Sequence, residues 1–166
     1  MIILGIDTTA DWCSAALVDT GRVLASASVK IGRGHAEVLG GQVQSLLADA
    51  HLKPADIDKI SVCVGPGSFT GLRVGLSFAK GLALPHKIPV VGLSALQVWA
   101  ASQDPTCSQT VMAAANVKRG QILAQIYHKG RAQSEAKLMA VDALRASDLP
   151  KLIVGGGADL LATEQQ

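Results

Sequence analysis

The stretch Gly65-Pro66-Gly67-Ser68-Phe69-Thr70-Gly71-Leu72-Arg73-Val74-Gly75 lies between an apolar run, Ile60 to Val64, and a small-residue run that reaches Leu84. That order predicts a strand, a tight glycine turn and a helix. Gly65 and Gly67 can take a positive φ or let another backbone come close, and Pro66 fixes φ between them. Thr70 is the expected N-cap, its hydroxyl satisfying a free amide of the first turn. Amides at such a turn aim outward at the positive end of a helix, which suits an anion. The spacing is neither a Walker A loop nor a dinucleotide fingerprint, because no Gly-Lys-Ser/Thr follows and the third glycine comes one residue late, at Gly71. By chemistry alone, a close-packed strand-to-helix turn is the commoner reading and an anion cradle the sharper one.

Outward from that stretch, the pattern before it predicts a meander. Ile2 to Ile6 is a buried strand ending at Asp7-Thr8-Thr9, Cys13 to Val18 a second strand, and Asp19-Thr20-Gly21 a hairpin turn into Arg22 to Val29. A helix is expected from His35 to His51, with Leu39, Val43, Leu46, Leu47 and Ala50 on one face. Gly40-Gly41 inside it costs roughly 1 kcal/mol each against alanine, and close helix–helix contact is the expected offset. After the glycine turn come a helix from Gly71 to Leu84, a strand from Pro89 to Leu93, and a capping box at Ser94-Ala95-Leu96-Gln97 opening a third helix.

The polar segment Gln103 to Ser108, with Pro105, is read as a lobe boundary, giving lobes 1–104 and 105–166. Beyond it the pattern predicts a hairpin of Thr110 to Asn116 and Gln121 to Tyr127 around Lys118-Arg119-Gly120. A strand at Lys137 to Val141, a short helix and a strand at Leu152 to Val154 follow, ending at Gly155-Gly156-Gly157. No close sequence repeat is present, but two lobes each opening with a strand hairpin invite a structural one. Three antiparallel strands, then helix, parallel strand, helix and strand, is the order of a ribonuclease H-like lobe. Two such lobes make the actin-like ATPase architecture, an α/β fold with a mixed sheet and flanking helices. There, an acidic residue after the first strand and glycine turns in both lobes border a nucleotide cleft. Asp7, Gly65 and Gly67 are the candidate residues of such a cleft here, with Asp7 as a local strand-end cap the equal alternative.

Composition narrows the function. The 166 residues suffice for one ordinary domain or two small lobes. With 49% hydrophobic and 17% charged residues a sizeable core is expected, and the apolar surplus suggests a surface covered by a partner. Lys plus Arg number 15 against 13 Asp plus Glu, so there is no cationic footprint for nucleic acid. The few aromatics offer little base stacking. Cys13, Cys63 and Cys107 are scattered and without a CxxC, as expected of free thiols in a reducing compartment. The first strand lacks a basic flank and Asp7 interrupts it, so no signal peptide is expected, and no run is long enough to span a bilayer.

Three pieces, Ile3-Leu4-Gly5-Ile6-Asp7-Thr8-Thr9, the Gly65 to Gly75 stretch and Ser94-Ala95-Leu96, together resemble the bacterial TsaB family, also called YeaZ and glycoprotease-like. The resemblance runs from Met1 to about Leu96 and continues weakly to Gly157. It implies the actin-like ATPase superfamily and a cytoplasmic role in making threonylcarbamoyladenosine in ANN-decoding tRNAs. It further implies pairing with a catalytic TsaD-like subunit, joined by a TsaE-like ATPase, with tRNA met only indirectly and no membrane. TsaD-like enzymes bind metal through two histidines four apart; the matching positions here are Gly92 and Leu96, which cannot ligate. No catalytic residue, metal ligand or cofactor is therefore expected.

The pairing surface implied by the resemblance comprises His35, Leu39, Val43 and Leu46 of the first helix and Gly71, Val74, Gly75 and Ala79 of the second. These are expected to lie outward for the sister subunit or, as a homodimer, for a second copy. Three departures from the family stand out: Gly40-Gly41 replaces the usual proline, Asn116-Val117-Lys118 the usual Asp-Ala-Arg, and the second lobe is expected to be short or incomplete. Two further readings remain. One is an actin-like-fold ATP-binding phosphotransferase or ATPase using Asp7 and the turns at Gly65 and Gly155. The other is an M22-type glycoprotease.

Overall fold

Leu4, Ile6, Cys13, Ala15, Leu17, Ile60 and Val62 are all buried, at alternate positions of neighbouring strands. That period of two places one face of a sheet against helices. The strands are β1 (Ile2–Asp7), β2 (Trp12–Asp19), β3 (Arg22–Lys30), β4 (Lys59–Cys63) and β5 (Val90–Leu93). Their order is β3-β2-β1-β4-β5. β1 pairs antiparallel with β2 and parallel with β4, Ile6 standing opposite Val62, and β5 continues the parallel side. Thr20 and Gly21 take left-handed backbone at the β2–β3 turn, as the Asp-Thr-Gly signal requires.

Two helices, α1 (His35–Asp49) and α2 (Phe69–Ala83), cover that face. Leu39, Val43, Leu46 and Leu47 of α1 and Ala79 and Ala83 of α2 join the strand residues in one core. Each of the leucine and valine side chains contributes about 1.5–3 kcal/mol over leaving it in water, and each alanine methyl about 0.8 kcal/mol. α2 begins two residues before the expected Gly71, and its cap is Ser68 rather than Thr70: the Ser68 hydroxyl accepts from the Gly71 amide at 3.3 Å.

The structure, a computed structural model, describes residues 1–106, 108–117 and 119–162. Cys107 and Lys118, named above as a thiol and a turn residue, lie outside the described residues. Two compact units divide between Leu93 and Ser94. The break falls before α3 (Ala95–Gln103), not at the polar segment that follows it. The reason is packing, since Leu96 and Ala100 of α3 share a core with Val111, Ala113 and Val154 of the second unit. Ser94 caps α3 without a side-chain bond, so the expected capping box does not close.

The second unit holds β6 (Thr110–Asn116), β7 (Gln121–His128), β8 (Arg131–Ala132), β9 (Lys137–Ala140), α4 (Val141–Arg145), β10 (Leu152–Val154) and α5 (Ala158–Leu161). β6 and β7 are antiparallel, β7 also carries β8 and β9, and β10 lies parallel to β6. This is the order of the first unit again: a meander, a helix, then a strand parallel to the first. The turns after the matching strands agree as well, with φ +100 at Gly65 and +96 at Gly155.

Candidate functional site

The glycine stretch is shaped by the end of β1. The Ser68 amide donates to the Thr9 carbonyl at 2.7 Å, and the Thr8 hydroxyl donates to the Gly71 carbonyl at 2.7 Å. A Cβ on Gly67 would overlap the Thr9 carbonyl, and one on Gly71 the Thr8 carbonyl. On Gly75 it would come within 2.6 Å of Thr8 Oγ1. The glycines are thus the imprint of Thr8 and Thr9, both buried, on the turn before α2 and on its first two turns.

Asp7 belongs to the same knot. The amide and the hydroxyl of Thr9 both donate to Asp7 Oδ1, at 2.8 and 2.7 Å. These are the bonds of a local strand-end cap. Beneath it the Cys63 thiol points at Thr9 Oγ1, 3.8 Å away. Burial pushes the thiols of Cys63 and Cys13 up, so neither is a ready nucleophile. Gly65 is buried against Leu72, and Gly67 lies at the surface edge of the turn.

The eight residues expected at a pairing surface fall mostly on the inner side. Leu39, Val43 and Leu46 are 1%, 2% and 3% exposed, and Ala79 is fully covered. Gly71 and Gly75 are buried under Thr8. His35 is buried, with Nε2 donating to the Ala10 carbonyl at 2.9 Å, which ties the start of α1 to the loop after β1. The expectation that these side chains lie outward is corrected: they are the lobe's own core, held by the sheet. Leu39, from below, and the half-buried Val74 also help line a groove between α1 and α2.

That groove, about 490 Å³, is lined by Ala36, Leu39, Thr70, Arg73, Val74, Ser77 and Phe78. Beside it α2 shows an outward row at helical spacing: Phe69, Arg73, Ser77 and Gly81, ending at Leu84. Phe69 is 74% and Leu84 81% exposed. On α1, Gly40 and Gly41 face outward too. A Cβ at Gly41 or Gly81 would meet nothing within 4 Å, and at Gly40 only the Phe78 ring at 3.8 Å. Sequence reasoning missed this outward row because its members share no chemistry. The available signal was that the inward and outward faces of α2 are offset by half a turn.

In the second unit the turn after β10 is filled from within. A Cβ on Gly155 would fall 2.5 Å from the Trp99 ring and 2.7 Å from the Ala114 carbonyl, and the Gly157 amide donates to that carbonyl at 2.8 Å. Asp104, buried at the end of α3, accepts from the Gln109 amide at 2.8 Å and from the hydroxyls of Thr106 and Ser108. These bonds, the Gln109 amide foremost, hold its carboxyl below the usual range. Among the described residues no three His, Cys, Asp or Glu side chains converge as a metal site. No helix there is long and apolar enough to cross a membrane.

Strand order and the threonine-locked glycine turn define a ribonuclease H-like lobe of the actin-like ATPase fold. A ROK hexokinase from Thermus thermophilus shares that fold, with a TM-score of 0.51 at 18% identity over 81% of this chain and 48% of its own. The family model described as TsaD, tRNA N6-adenosine threonylcarbamoyltransferase, matches residues 28–155, and the chain belongs to that family. Within it, the chain is similar to the tRNA threonylcarbamoyladenosine biosynthesis protein TsaB of Escherichia coli K12, 36% identical over 74% of this chain and 53% of the relative. The Bacillus subtilis protein of the same name is 38% identical over 61% and 44%. The chain thus spans about half the length of the curated relatives it matches. YeaZ from Pseudomonas aeruginosa superposes with a TM-score of 0.82 at 25% identity, over 96% of this chain and 88% of that one.

Proposed function

We propose that the chain is a non-catalytic pairing subunit in the biosynthesis of threonylcarbamoyladenosine on tRNA. It acts in the cytoplasm and meets a catalytic TsaD-like subunit through the outward face of α1 and α2. A TsaE-like ATPase joins the pair, and tRNA is handled by the sister chain. The observation that carries the reading is the set Gly40, Gly41 and Gly81. Each sits inside a helix, where glycine costs about 1 kcal/mol against alanine. Among the described residues, a Cβ on Gly41 or Gly81 would meet no packed neighbour within 4 Å, and one on Gly40 only the Phe78 ring. A helix of another protein, packed close over that face, supplies the missing reason for all three.

The non-catalytic part rests on donor chemistry. At the two positions that the resemblance sets against the metal-binding histidines of TsaD-like enzymes stand Gly92, where a Cβ would meet Val64, and Leu96, 1% exposed. Neither offers a lone pair to a metal.

The test is reconstitution. Purified chain, TsaD-like and TsaE-like subunits, tRNA, ATP and a preformed, activated threonylcarbamoyl donor are expected to yield modified adenosine, while omission of this chain abolishes it. Replacing Gly40 or Gly81 by Trp is expected to remove both association and activity with the fold intact. Modified adenosine from this chain alone, or magnesium-ATP turnover by it, would overturn the reading.

A further inference from the structure

We propose that Arg73 receives a carboxylate, Asp or Glu, from the helix that covers the α1–α2 groove. The inference rests on the pairing role above and names the chemistry of the covering surface. Arg73 follows Phe69 by one turn, and its guanidinium carbon stands 5.6 Å from the Phe69 ring centroid. Both side chains are exposed, and Arg73 lines the groove. Among the described residues no carboxylate lies within ion-pair distance of Arg73. α2 itself carries Arg73 and Lys80 and no acidic residue.

The aromatic ring holds the guanidinium plane by a cation–π contact and leaves its N–H fork free. A helix seated on Ala36, Ser77 and Gly81 would strip water from that fork. If it brought only apolar groups, it would bury an unpaired charge, which is strongly unfavourable. The occupant therefore has to bring an acceptor, and a carboxylate matches the fork with two parallel hydrogen bonds. Arginine is also one of the residue types in which interface energy concentrates. Thr70 and Ser77, in the same groove wall, offer hydroxyls beside the pair.

The experiment titrates the full chain with the purified TsaD-like subunit by calorimetry, at two salt concentrations. Arg73→Gln is expected to weaken association about tenfold or more at low salt and to remove most of its salt dependence. Arg73→Glu should weaken it further, and Arg73→Lys should lie between wild type and Arg73→Gln. Because Arg73 is on the surface, melting temperatures should stay near that of the wild type. Wild-type binding by Arg73→Gln and Arg73→Glu, or weaker binding with an unchanged salt slope, overturns the carboxylate. Ser77→Trp, in the groove wall, separates the two claims. If Ser77→Trp abolishes association while the Arg73 variants bind normally, the face is right and the carboxylate wrong. If Ser77→Trp binds like wild type, the pairing face itself is wrong.

Discussion

The Thr8 hydroxyl donates to the Gly71 carbonyl at 2.7 Å, while the Thr8 carbonyl occupies the place a Cβ on Gly71 would take. One residue at the end of β1 thereby excludes any side chain from the start of α2. With Thr9 accepting from the Ser68 amide, strand end and helix start behave as a single piece. Gly71→Ala must push the two apart, and the close-packed lobe has no slack to absorb it. We expect a loss of at least about 2 kcal/mol, at the upper side of what overpacking usually costs. Urea unfolding should show the midpoint falling with the slope unchanged; an unshifted midpoint would sink the account.

The opposite sign is expected on the outer face. Gly41→Ala and Gly81→Ala meet open space and remove the excess chain entropy of glycine in a helix. Each should stabilise the isolated chain by about 0.5–1 kcal/mol. Under the pairing role the same changes should weaken association with the sister subunit. Thermal melting and titration on the same samples would expose the trade, and a variant that gained in both would count against the role of these glycines.

This contrast marks the limit of what the residues disclose by themselves. The meander was legible because alternation in Cys13, Ala15 and Leu17 and the Asp19-Thr20-Gly21 turn are both local signals. Strand, turn and helix around Gly65 were legible for the same reason. Which way α2 faces was not. Gly71, Gly75 and Ala79 look like a contact stripe for any neighbour, and the neighbour proved to be Thr8 and the sheet of the same lobe, far away in sequence. The place of α3 was hidden likewise: Pro105 marks a turn, but the packing of Leu96 and Ala100 decides the unit to which the helix belongs.

Asp104 makes the second unit sensitive to acid. Its carboxylate holds the turn between α3 and β6, and the Gln109 amide and two hydroxyls lower its pKa in the folded chain. A lowered folded pKa means stabilisation that is complete above the unfolded carboxylate value, near about 4, and lost as pH falls through the folded value. Asp104→Ala should therefore be less stable than wild type at neutral pH. The gap should hold down to about pH 5 and close at more acid pH. Denaturant midpoints of the two proteins across that range check it; a gap that persisted at the acid end would assign the effect to packing alone.

Gly155 carries the last expectation. Its φ of +96 suits glycine, and the Trp99 ring and the Ala114 carbonyl close on it from two sides. Gly156 beside it has open space and no positive φ. Gly155→Ala should therefore cost about 1–2 kcal/mol for the left-handed backbone alone, with ring displacement adding to it. Gly156→Ala should stay within about 0.5 kcal/mol of wild type. The readout is Trp99 fluorescence in a Trp12→Phe background, since these are the two tryptophans of the chain. A shifted Trp99 spectrum with an earlier unfolding midpoint in Gly155→Ala, and neither in Gly156→Ala, is the expected pair. Equal behaviour of the two variants would mean that the ring does not rest on that turn, and that its likeness to the Gly65 turn stops at the backbone.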